Sequence, residues 1–170
     1  MRTRLASFPS GDFRCAHCHV VVSCAHLISG VNNRNHCPYC LWSCHLDLYV
    51  AGDRLSACKA PMKPIGLTMK KGRNKYQREP RGELMLIHEC IECKTLSINR
   101  IAADDLPERI VEVFRASLTL SPNIHSVCKA HGIEVLKAED IGVLEAGLYG
   151  RNAEISVSPP VISRRVLVET

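Results

Sequence analysis

The chemistry of this chain is carried by cysteines in a fixed spacing. Cys15 and Cys18 have two residues between them, eighteen residues follow, and Cys37 and Cys40 repeat the pair. A two-residue gap lets both sulfurs of one tight turn face a single ion while the amides of the turn donate to the thiolates. Two such turns close a tetrahedron, and an all-thiolate closed tetrahedron favours zinc. The distance between the pairs lies in the range used by zinc ribbons. A first zinc site of Cys15, Cys18, Cys37 and Cys40 is therefore expected.

A third pair, Cys90 and Cys93, sits between two short apolar runs, as the turn of a hairpin would, and it needs two further ligands. Cys58 is the obvious third thiolate. The fourth is His45 or Cys44; a set of His45, Cys58, Cys90 and Cys93 is preferred, with Cys44 in place of His45 as the alternative. The expected cofactor is thus two zinc ions per chain. Cys24 and Cys128 read as small apolar core residues. His17, His19, His26 and His88 read as surface or internally satisfied histidines. His36 directly precedes Cys37, where it can donate to a carboxylate or a backbone carbonyl behind the metal.

Whether ten cysteines pair as disulfides or bind metal depends on compartment. The segment Met1 to Phe13 is interrupted by Pro9, Ser10, Gly11 and Asp12 before any apolar stretch reaches the length of a signal peptide, and no later run reaches a membrane span. A reducing cytoplasm is the expectation, with no membrane partner, and clustered thiols there bind metal.

The elements that must position these ligands are short. Val20 to Val22, Leu84 to Ile87, and Leu96, Ile98 and Ile101 are strand-length apolar pieces, whereas Lys70 to Gly82 is charged and punctuated by Gly72 and Pro80. Beyond residue 104 the period changes. Leu106, Ile110, Val113 and Phe114 recur at helical spacing after Asp104 and Asp105, which can accept from free amides at a helix start. Ser121 and Pro122 begin a second helix carrying Ile124, Val127 and Cys128, and a third runs from about Ala138 to Tyr149 with Gly150 as its stop. The fold class expected is small α+β: zinc-ribbon-like β-hairpins stabilised by two zinc sites, followed by a short helical region. The corresponding division is 11–106, 107–150, and a tail at 151–170 that contains Pro159 and Pro160 before a short apolar run.

The string Arg34-Asn35-His36-Cys37-Pro38-Tyr39-Cys40-Leu41-Trp42-Ser43, then His45, Asp47, Gly52-Asp53-Arg54, Cys58, Pro64-Ile65-Gly66, Gly82-Glu83-Leu84-Met85 and Ser97 through Asp105, resembles the RNHCP domain family over roughly residues 11 to 106. The resemblance implies a small bacterial domain rich in metal-ligand cysteines and carries no activity with it. The family often has Lys where this chain has Cys44, which marks His45 as the family-like ligand.

The net charge is +5, but residues 59 to 81, read as one basic loop, hold eight cations against one carboxylate, a local +7, so the rest of the chain sums to −2. Lys63, Lys70, Lys71, Arg73, Lys75 and Arg78 are the candidate phosphate contacts, with RNA or a ribosome as the expected partner. A protein partner is the alternative. A metal-dependent nuclease or hydrolase is a second one, drawing on His36, Asp47, Asp53, Asn99, Arg100, Asp104 or Asp105. Zinc with four protein ligands leaves no open coordination position for catalysis, so a non-enzymatic module is preferred.

Overall fold

The computed structural model describes residues 11–70 and 82–150. It begins with a two-stranded antiparallel pair, β1 (Phe13–Arg14) and β2 (Val21–Val22), in which Phe13 faces Val22 and Arg14 faces Val21. A single helical turn, α1 (His26–Ser29), follows and ends on Gly30 in the left-handed region. A four-stranded antiparallel sheet then forms in the order β3 (Ser43–Cys44), β4 (Pro61–Lys70), β5 (Glu83–Cys90) and β6 (Leu96–Arg100). Helices α2 (Pro107–Ser117), α3 (Pro122–Ala130) and α4 (Ile141–Tyr149) follow the sheet. The molecule is a small α+β protein with two antiparallel sheets.

Strand β4 corrects the sequence reading, which treated residues 59 to 81 as one basic loop. Pro64 and Gly66 interrupt its apolar pattern, and lysines stand near both ends, so the segment does not alternate as a strand should. The sheet absorbs both irregularities. A break in register with β5 falls between Pro64 and Gly66, and β3 pairs only with Pro61 and Met62, so at Pro64 the missing amide faces no β3 partner. Gly66 is needed for packing: a Cβ there would stand 3.2 Å from Ser117 Cβ and 3.3 Å from Val135 Cγ1.

Strand β5 is buried on both faces, as its unbroken run Leu84-Met85-Leu86-Ile87 implies. Leu84 and Leu86 join Leu41, Leu67, Ile110, Phe114, Leu136 and Leu144 in the larger core, built with α2 and α4. Ile87 turns the other way, toward Ile65, Cys128 and Val135, where Ile124 of α3 also packs. The core is thus continuous across residue 106. Leu136 N–H also donates to Leu67 O at 2.8 Å, and Thr68 and Val135 form a bridge, so the chain between α3 and α4 is stitched to β4.

Candidate metal centres

The three cysteine pairs occupy three copies of one turn. In each, the first cysteine's N–H donates to the carbonyl five residues on, and the residue after the second cysteine donates back to the first cysteine's carbonyl. The distances are 2.9 and 3.0 Å for Cys15 to Val20 and His19 to Cys15, 3.0 and 2.8 Å for Cys37 to Trp42 and Leu41 to Cys37, and 2.9 and 3.1 Å for Cys90 to Thr95 and Lys94 to Cys90. This closure forces the residue after the second cysteine into the left-handed region, with φ of 64° at His19, 59° at Leu41 and 62° at Lys94. Lys59, which follows Cys58, is also left-handed at φ 52°. A left-handed residue other than glycine costs about 1–3 kcal/mol. Strain of this kind persists only where surrounding contacts, or a bound ion, hold it.

The first turn joins β1 to β2, and the second is closed by a bridge between His36 and Ser43. Together they bring the sulfurs of Cys15, Cys18, Cys37 and Cys40 within 4.8 Å of one another. Cys15 and Cys40 Sγ are 3.5 Å apart, and Cys18 and Cys37 Sγ 3.6 Å. A tetrahedron with metal–sulfur bonds of about 2.3 Å has edges of about 3.8 Å, so these separations are close to those an ion would impose. The amide of His17 points at Cys15 Sγ, 3.4 Å away.

The third turn links β5 to β6 and meets two residues from elsewhere. His45 follows β3 and Cys58 precedes β4, and their ligand atoms lie with those of Cys90 and Cys93 inside the same 4.8 Å limit. Cys58 and Cys90 Sγ are 3.7 Å apart, and His45 Nδ1 is 3.2 Å from Cys93 Sγ. Adjacent residues of extended chain point to opposite sides, which separates His45 from Cys44. Cys44 donates its thiol to Lys59 O at 3.3 Å instead. The preferred set is the one that converges.

The thiols of each cluster behave as donors to one anion. Hydrogen bonds from Cys37 and Cys40 hold Cys15 far below the usual thiol range, while the bond to Cys15 pushes Cys37 up to about 12 and raises Cys40 further. At the second cluster the Thr95 hydroxyl, 3.2 Å from Cys93 Sγ, helps draw that thiol down to about 6, and burial pushes Cys90 up to about 11. A metal replaces the shared protons, so binding must release protons and weaken in acid.

Behind the first cluster lies a buried polar lattice that the sequence did not announce. Arg34, with a fully buried side chain, pairs with Asp104 at 2.7 Å and Asp105 at 3.3 Å. Asp105 also receives His36 Nε2 at 2.7 Å and Ala102 N–H at 2.8 Å. Of the two acceptors that the sequence allows His36, a carboxylate or a backbone carbonyl, the structure places a carboxylate. The expectation that Asp104 and Asp105 cap α2 is not: no side chain caps that helix, and the carboxylates turn back to the cation and imidazole before Cys37. Ser121, likewise, stands at the cap position of α3 without a side-chain bond. His88 of β5 donates from Nε2 to Leu41 O at 2.7 Å and accepts at Nδ1 from the Asn99 amide at 2.9 Å, and burial drives it down to about 3, hence neutral. His88 thereby ties the second cysteine turn to the sheet.

The remaining polar candidates hold the loop between His45 and Cys58. Asp53 accepts from the amides of Leu48, Tyr49, Val50 and Leu55 at 2.8–3.0 Å. Asp47 accepts from Gly52 and Arg54 amides and from the Asn35 side chain. Of the basic residues, Lys63 and Lys70 lie exposed on β4, opposite Glu89 and Glu83 across the ladder to β5. Lys71, Arg73, Lys75 and Arg78 lie outside the described residues. Among the described residues, no helix is long and apolar enough to cross a membrane.

No curated protein and no solved structure matches this chain. The model of the RNHCP domain family matches residues 10–111, more than half of the chain, and the matched stretch includes both cysteine clusters and the Arg34 lattice. The chain belongs to the RNHCP domain family.

Proposed function

We propose that this protein is a non-catalytic zinc-binding module, with one ion at Cys15, Cys18, Cys37 and Cys40 and a second at His45, Cys58, Cys90 and Cys93. The observation that carries the reading is the convergence of each set at tetrahedral spacing. Sulfur-rich sets with one imidazole suit zinc, and four protein ligands leave no position for substrate or water. Each set pins a hairpin turn to a second segment in the manner of a zinc ribbon. Elemental analysis of protein made in zinc-replete medium tests this: two zinc per chain are expected, one after His45→Ala, and still two after Cys44→Ser. One zinc in the wild type, or iron in stoichiometric amount, overturns it.

The finer part of the proposal is contact with nucleic acid phosphates by the basic segment in the reducing cytoplasm, RNA or a ribonucleoprotein being the partner. The support lies in charge and tether. Among the described residues, Lys70 and Glu83 form the last pair of the β4–β5 ladder, and Lys71, Arg73, Lys75 and Arg78 lie between them in the sequence. Lys59 has its ammonium bound to Arg54 O at 2.8 Å, whereas Lys63 and Lys70 stand exposed on β4 and belong to the proposed footprint. If about five phosphates are neutralised, log affinity for single-stranded RNA falls with log salt at a slope of about −3.5. Charge reversal of Lys70, Lys71, Arg73 and Lys75 removes most of that slope and leaves zinc content intact. Equal binding by the reversed protein rejects the contact.

Four of the residues that the nuclease reading draws on have other partners: His36 and Asp105 are buried against each other, and Asp47 and Asp53 accept from backbone amides. A protein-interaction role has one observation of its own. The loop fastened by Asp47 and Asp53 leaves Leu48, Tyr49, Val50 and Leu55 at 50%, 82%, 66% and 63% exposure, a fixed apolar surface beside the second cluster.

A further inference from the structure

The two clusters differ in access. At the first, Cys15 and Cys37 are buried and Cys18 and Cys40 half-buried. At the second, Cys90 and His45 are buried and Cys58 is half-buried, but Cys93 is exposed. The exposure extends along the turn, since Ile91, Glu92, Cys93, Lys94 and Thr95 all face solvent. In the second turn of the first cluster, by contrast, Pro38 and Leu41 are buried and Cys40, which stands where Cys93 stands, is half-buried; in its first turn Ala16, His17 and His19 are exposed, but Cys18 at the same position is again half-buried. A thiolate is oxidised according to its anionic character and its access, and oxidation becomes reversible when a second thiol stands close enough to resolve the product. Cys93 meets all three conditions, because as a metal ligand it is a thiolate, it is exposed, and Cys58 and Cys90 Sγ both lie within 4.8 Å of its own sulfur.

We propose that Cys93 is a peroxide-sensitive modification site, through which the second cluster, and not the first, gives up its metal on oxidation. The inference rests on the zinc reading above. The Cys93 thiolate attacks a peroxide oxygen; an S–O bond forms, the O–O bond breaks, and hydroxide leaves, to be protonated to water. The Cys58 or Cys90 thiolate then attacks the sulfenic sulfur, forming an S–S bond and expelling a second hydroxide, also taken up as water. Two thiolates lose two electrons in all, and one peroxide is reduced to two waters. The cluster retains His45 and one thiolate, too few ligands for tight binding. Thiol reductants reverse the step.

The loss has a structural consequence. The second cluster is what holds His45 and Cys58 against the β5–β6 turn, and those residues bracket the loop bearing Leu48, Tyr49, Val50 and Leu55. Oxidation therefore loosens the base of the apolar loop while the first cluster keeps its geometry.

The test uses the full chain in its zinc form. Metal content is measured first. Hydrogen peroxide is then added in small excess while released zinc is followed with a chromogenic chelator, and thiols and disulfides are mapped by differential alkylation and mass spectrometry. The expected result is two zinc per chain at the start, one released roughly tenfold faster than the other at a rate proportional to peroxide, and a disulfide joining Cys93 to Cys58 or Cys90. Recapture of one zinc after dithiothreitol completes the pattern. Starting from two zinc, release of both ions together, release at a rate independent of peroxide, or a first disulfide among Cys15, Cys18, Cys37 and Cys40 overturns the inference and leaves the zinc reading standing. Fewer than two zinc at the start overturns that reading and the inference with it.

Discussion

The amino-terminal cysteine unit and the four-stranded sheet are built from the same turn, yet they are held by different forces. Around the first cluster the buried apolar group is Cys15, Val22 and Cys37, with Phe13, Cys18 and Cys40 against it, so four of its six members are the cluster's own cysteines. Around β4 and β5 the core is leucine, isoleucine and phenylalanine supplied by a sheet and two helices, and the second cluster sits at its end, beside Ala60 and Met62. A unit too small to bury a core needs an ion or covalent links to fold, whereas a sheet covered on both faces does not. On the proposed zinc reading, metal is therefore structural in a stronger sense at the first site than at the second.

The largest effect that can break this comparison is removal of metal. A structural zinc contributes on the order of 10 kcal/mol or more to a fold whose net stability is roughly 5–15 kcal/mol. With chelator, amide protection at His19, Val22 and Leu41 is expected to vanish, while Leu67, Leu86 and Ile87 remain protected in hydrogen exchange. The sheet keeps its protection because it shares one core with the helices. Simultaneous loss of protection in both regions refutes the distinction.

Next in size is the joint between the regions. Arg34→Met leaves Asp104 and Asp105 without their cation, and loss of one partner from a buried ion pair costs about 3–5 kcal/mol. Urea unfolding monitored by Trp42 fluorescence measures it. A loss below about 1 kcal/mol would show that the lattice is not what couples the first cluster to the segment before α2.

A third test uses pH, since His88 bridges the sheet to Leu41. Its pKa is lowered from the ordinary 6.5 to about 3 in the folded protein, chiefly by burial. A histidine held neutral contributes its stability fully above the unfolded pKa and loses it as pH falls through the window from 6.5 toward 3. The decline is about 1.4 kcal/mol for each pH unit below about 6.5. His88→Gln is expected to be less stable at about pH 7.5 but flatter between about 7.5 and 5.5, at unchanged zinc content. Parallel pH profiles for the two proteins would assign the acid sensitivity to the thiolates alone.

The smallest effect distinguishes the turns themselves. His19→Gly and Lys94→Gly remove Cβ from residues with φ of 64° and 62°, and each is expected to gain about 0.5–1 kcal/mol after the greater unfolded-state freedom of glycine is subtracted. Thermal unfolding of the zinc form reads it. The gain at His19 should be the smaller, because His17 of the same turn stacks on Trp42, with ring centroids 4.3 Å apart, and braces the first turn independently.

What could be read from the sequence was what depends on neighbours along the chain. The two-residue cysteine spacing specifies a turn, and all three turns are present. Helical periodicity located α2, α3 and α4, each close to its expected span, but not the single turn α1, which is too short to show a period. Cys58 was reached by counting the thiols left over, and His45 was preferred to Cys44 with the help of the family resemblance, a weaker route that a change of register in β3 would have defeated. The strand between Pro61 and Lys70 was missed because its proline, glycine and lysines are tolerated only through a register break beside β5 and an edge that β3 leaves open.

Which pairs converge on one point depended on the assembled fold, because segments far apart in the chain must arrive together: Cys18 with Cys37, and His45 with Cys93. The same assembly turned Asp104 and Asp105 away from the helix they precede, since a buried guanidinium and imidazole offer those carboxylates more than solvent-accessible amides do. It also left Cys93 exposed while Cys18 and Cys40, at the same position of the same kind of turn, are half-buried. Residue types and short spacings account for sulfur as the ligand chemistry and for the shape of each turn. Burial, which sums over every contact the distant chain makes, set what each thiol can meet.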